Sequence, residues 1–110
     1  VNKNQQAQAL LSLFIKRYTE KYGFEPSINR YRLKWGAVDF VDSVGYTRAK
    51  EIVEYYMTLD SKHSFEALLA TFDKVGAAMD ERIEDNARRA KLREETRRRV
   101  EEYERRGFGN

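Results

Sequence analysis

The sequence predicts an all-α protein: a head of three helices, at about 4–22, 28–44 and 47–58, and a long C-terminal helix at about 64–106 that projects from it. Three observations predict this. Proline occurs once and glycine six times in 110 residues, while Glu, Lys, Arg, Ala and Leu are plentiful, which favours helices over a β-sandwich. Apolar residues recur at three- and four-residue steps in the segments between the glycines. From Ser64 the helical pattern continues without a proline to about Arg106. A chain of this length makes one domain, read as 1–110, with a compact head over 1–79 and a charged helical extension over 80–106.

In the first helix, Ala7, Leu10, Leu11, Phe14 and Tyr18 fall on one face. Gly23 can turn left-handed and close it, and Pro26 prevents simple continuation. Ser27 or Asn29 can cap the second helix. There Tyr31, Leu33, Trp35, Ala37, Val38, Phe40, Val41 and Val44 cover much of the circumference, so this helix is expected at the centre, with Trp35 as its largest buried side chain. Gly36 inside it suggests the close approach of another backbone. Gly45 ends it, and Thr47 can cap a third helix whose inner face is Ala49, Ile52, Val53, Tyr56 and Met57. The polar connection "LDSKHS" follows, with His63 expected to be exposed.

The last helix would run for roughly 43 residues, about 65 Å at 1.5 Å per residue. A head of ~80 residues has a radius of gyration near ~12 Å, so an unbroken helix must project. Gly76 is the expected kink, with a bend near Ala90 in "RRAK" as the alternative. Phe65, Leu68, Leu69, Phe72, Val75, Met79, Ile83, Ala87 and Ala90 fall in one arc of roughly 120° and are expected to pack on the other helices. Leu92, Thr96, Val100 and Tyr103 form a narrower stripe rotated by roughly 120° from the first. One straight helix cannot turn both stripes into the same head.

"NARRAKLREETRRRVEEYERRG" tests the charge logic. Arg88–Arg99 holds seven basic and two acidic residues, yet Asp80–Arg106 holds ten basic and nine acidic ones. Glu84–Arg88, Asp85–Arg89, Glu94–Arg98, Glu95–Arg99, Glu101–Arg105 and Glu102–Arg106 each place the acid four residues before the base, the orientation that stabilises a helix. The run reads as a self-supporting helix more than as a phosphate grip. A second basic group, Lys16, Arg17, Lys21, Arg30, Arg32 and Lys34, is interleaved with Tyr18, Tyr22, Phe24, Tyr31 and Trp35, a pairing suited to phosphate neutralisation and base stacking. The segment from Trp35 to Tyr56 also has a helix–turn–helix rhythm. Glu51 and Glu54 beside Tyr46, Thr47, Arg48 and Lys50 favour an ordinary helical hairpin instead.

Catalysis finds little support. Cysteine is absent and histidine occurs once, which excludes thiolate zinc sites and cysteine nucleophiles. Asp39 and Asp42 lack further ligands, and no glycine loop suits a phosphate. The reading is therefore no enzyme, no metal and no cofactor. "VNKNQQAQALL" lacks the features of a signal peptide, no apolar run could span a bilayer, and a cytoplasmic location is expected.

The stretch "YGFEPSINRYRLKWGAVDFVDSVGYTRAKEIVEYYM", Tyr22–Met57, resembles small helical accessory proteins of bacteriophages that serve DNA replication or act on host transcription. It carries no diagnostic motif. The resemblance implies an adaptor in the host cytoplasm that binds a polymerase, a helicase or single-stranded DNA. The leading expectation is a non-enzymatic accessory protein docking on a larger replication or transcription protein. Leu92, Thr96, Val100 and Tyr103 would make the contact, with Arg89 and Arg93 beside them. The alternatives are direct DNA or RNA binding through the basic-aromatic group, and a homodimer through the C-terminal helix.

Overall fold

The computed structural model describes residues 2–107. Val1 and the segment 108–110, part of the expected domain span, lie outside them. Four helices and no strand occur among the described residues: α1 (Lys3–Tyr22), α2 (Arg30–Val44), α3 (Tyr46–Thr58) and α4 (Phe65–Arg105). None is long and apolar enough to cross a membrane.

Local chemistry sets most boundaries. Asn2 opens α1 with a capping box, its side chain accepting from the Gln5 N–H while the Gln5 side chain accepts from the Asn2 N–H. Gly23 closes α1 in the left-handed region, at φ 81°. Asn29, and not Ser27, caps α2 by accepting from the Arg32 N–H at 3.1 Å. A single residue, Gly45, then separates α2 from α3. It leaves no room for the expected Thr47 cap, and α3 starts at Tyr46 without a side-chain cap.

The chain divides into two compact units after Ala77. In the first, α1 packs on both α2 and α3. Its core is built from Ala7, Leu10, Leu11 and Phe14 of α1, Leu33, Ala37, Phe40 and Val41 of α2, and the five predicted inner residues of α3. Phe65 and Leu68 from the start of α4 complete it. The Phe14 and Phe65 rings meet edge to face at 5.2 Å, and Phe40 stacks on Phe72 at 4.6 Å. Ion pairs tie the rims: Lys3 with Asp42, Arg17 with Glu54 at 2.7 Å, and Arg32 with Glu66 at 3.1 Å.

Several expectations are corrected. α2 is not surrounded: Trp35 is 68% exposed and Tyr31 89%. Its buried residues lie at positions 33, 37, 40 and 41, one stripe, and Tyr31 and Trp35 fall on the opposite side of the wheel. Gly36 does accommodate a close neighbour, but it is a side chain. A Cβ there would lie 2.6 Å from a methyl of Leu69. The kink in α4 falls at Thr71, at φ −135° and ψ 15°, and not at Gly76. The Thr71 hydroxyl donates to the Ala67 carbonyl at 2.7 Å, an i−4 bond of the kind that bends helices. Gly76 is buried instead, with Ile52 and Arg48 about where a side chain would reach. Burial in α4 ends at Met79: Ile83, Ala87 and Ala90 are exposed.

Candidate functional site

The second unit, from Ala78, consists of the C-terminal part of α4. Leu92, Val100 and Tyr103 are 61%, 51% and 56% exposed, and Thr96 is exposed with them. The spacing of four, four and three residues puts all of them on one stripe. Around it the charges pair along the helix. Asp85 meets Arg89 at 3.2 Å, and Glu94 meets Arg97 at 2.8 Å and Arg98 at 3.6 Å. Glu102 meets Arg106 one turn later, and Arg88 reaches Asp85. Arg93 is exposed. A shallow hollow of about 150 Å³ lies between Arg99, Glu102, Tyr103 and Arg106. Large exposed apolar groups among paired charges are a surface that a second molecule can cover without breaking the helix.

The basic group of six is divided by the fold. Arg17 bonds Glu54 across the α1–α3 contact and Glu20 along its own helix, and these carboxylates hold its guanidinium above its ordinary pKa. The Lys21 ammonium donates to the Met57 carbonyl at 2.8 Å and reaches the Leu59 carbonyl, so it serves the C-terminal end of α3. These two cations are structural. Lys16 is exposed on α1.

Arg30, Arg32 and Lys34 occupy alternate positions of α2, which puts Arg30 and Lys34 toward one flank of the Tyr31–Trp35 face and Arg32 toward the other. Arg30 donates to Gln8 and Ser12, both at 3.1 Å, and Arg32 pairs with Glu66. The Lys34 ammonium sits 5.1 Å from the centre of the Trp35 ring. Within this patch the aromatics expected to be core face solvent.

His63 also departs from expectation, being 8% exposed. Its ring meets Tyr56 edge-on at 5.1 Å, and its Nδ1 is hydrogen-bonded to the Tyr22 hydroxyl. Nε2 is buried without a hydrogen-bond partner of good geometry. Burial, then the nearby Lys21 charge, lower its pKa from the ordinary 6.5, although the Tyr56 and Leu59 carbonyls and Asp60 pull the other way. Burial also raises the Tyr22 phenol. The Tyr56 hydroxyl accepts from the Ser64 N–H at 3.0 Å, which fastens the same loop. The signal that could have located His63 is the aromatic density on both sides of it, Tyr55 and Tyr56 before and Phe65 after.

Beside His63 lies a cavity of about 450 Å³, lined by Phe14, Tyr18, Leu33 and Phe65 and by the Arg32–Glu66 pair, among others. Among the described residues no three His, Asp or Glu side chains gather as metal ligands would. Comparison with protein-family models, curated proteins and solved structures finds no significant match to this chain.

Proposed function

We propose that the chain is a non-enzymatic accessory protein that docks through the second half of α4 on a larger protein of the replication or transcription machinery. The observation that carries this reading is the exposure of Leu92, Val100 and Tyr103 on one stripe. The stripe stands among ion pairs that support the helix, and helix-in-groove recognition uses this spacing. Arg89 and Arg93 flank the stripe and supply charge contacts at its rim. The Tyr22–Met57 resemblance to bacteriophage accessory proteins supports the choice of partner class and a host-cytoplasmic setting.

The test is the triple variant Leu92→Ser, Val100→Ser, Tyr103→Ser, used as bait beside the parent chain in native host extract. A replication or transcription protein captured by the parent and lost by the variant is the expected result. Each truncated apolar contact is worth about 1 kcal/mol or more when buried, so the three together weaken capture by roughly a hundredfold. Equal capture by both, with helical content unchanged, would sink the reading. Light scattering across a dilution series separates it from self-association, which predicts a dimer at high concentration.

A further inference from the structure

We propose that the outward face of α2, centred on Tyr31 and Trp35, binds single-stranded nucleic acid by base stacking. The two rings are four residues apart on one helix, so they are surface neighbours roughly 5–6 Å apart at Cβ. Both face solvent, and neither contributes to the core on the opposite side of α2. Trp and Tyr are planar surfaces on which any unpaired base can stack.

Charge selects the occupant. From Ser27 to Val38 the sequence holds Arg30, Arg32 and Lys34 and no acid. Lys34 already lies beside the Trp35 ring, where it can meet a phosphate when a base stacks. Arg30 and Arg32 are exposed and engaged at few of their five N–H donors each, so both forks retain donors for a passing strand. Acids stand at its edges: Glu66 pairs with Arg32, Asp39 is exposed one turn beyond Trp35, and Asp42 pairs with Lys3. The site therefore occupies the first turns of α2 and accepts a few nucleotides.

Two rivals fit less well. Protein interfaces also anchor on Trp, Tyr and Arg, but a stretch with three cations and no acid from Ser27 to Val38 favours a polyanion. A duplex keeps its bases stacked inside, out of reach of a ring on a convex helix. This proposal rests on α2 and the docking proposal on α4, and neither depends on the other.

Trp35 is the sole tryptophan, which makes the site its own reporter. The full chain is titrated with an end-labelled oligothymidylate of about 12 nucleotides, within the range that single-strand sites cover. Trp emission and label anisotropy are read together at low and near-physiological salt. Quenching that saturates with the anisotropy and weakens as salt rises is expected. Trp35→Ala and Tyr31→Ala, each checked for unchanged helical content, should weaken binding about tenfold apiece. Lys34→Ala should flatten the salt dependence. The proposal falls if anisotropy does not rise, if duplex binds as well as single strand, or if both aromatic variants bind like the parent. It falls equally if Trp35→Ala abolishes capture of a protein by a chain that leaves oligothymidylate unbound. Should one aromatic variant fail to fold, the other and the direct Trp35 quench still decide.

Discussion

At the residue scale, burial and the Lys21 ammonium both oppose a charged imidazole at position 63, and the unfolded chain removes both. The folded pKa therefore lies below the ordinary 6.5. The unfolded state binds the proton more readily, so stability rises with pH in this window. The contribution of neutral His63 is complete above about pH 6.5, declines as pH falls below it, and levels off beneath the folded pKa. Urea denaturation at pH 7.5 and 5.0 should show a smaller loss on acidification for His63→Gln than for the parent. An equal loss in both would mean that the ring is not held neutral. Trp35 carries the opposite lesson about burial. Its apolar character marked it for the core, but its angular position on α2 turned it outward.

At the element scale, α4 draws its stability from two sources. Up to Met79 it contributes buried side chains, whereas from Asp80 to Arg105 no residue is buried and the helix rests on local bonds and ion pairs. Exposed pairs add little each, and helices held by local terms open readily. Amide hydrogen exchange should therefore be faster across Glu81–Arg105 than at Leu10, Leu11, Ile52 and Val53 in the cores of α1 and α3. Protection at Val100 equal to that at Ile52 would overturn this expectation. The acid-before-base spacing was legible without any structure, since it needs only the pitch of a helix. The break was not. Glycine propensity pointed to Gly76, but a position packed near Ile52 is held regular, while the Thr71 hydroxyl competes for the Ala67 carbonyl.

At the scale of the whole molecule, Phe14 joins several parts of the first unit. It lies in the α1 face, meets Phe65 at the start of α4, touches Tyr18 and lines the cavity beside His63. Phe14→Ala should cost about 3–5 kcal/mol, a large share of the stability of a small domain, with loss of cooperative thermal unfolding in calorimetry as the check. A change under about 1 kcal/mol would show that the core closes over the gap. Four helices, their glycine stops and the buried faces of α1 and α3 were all determined by the sequence alone. Helix periodicity and chain reversal depend on neighbours within about four residues, and such neighbours can be read in order. Which side of α2 meets water, where α4 bends, that His63 is covered and that Arg17 and Lys21 serve the fold were decided by tertiary structure. Each depends on partners that are distant in the chain, such as Glu54 for Arg17 and Tyr22 for His63, or on local competition settled by packing, and a pattern of spacings along one helix does not contain them.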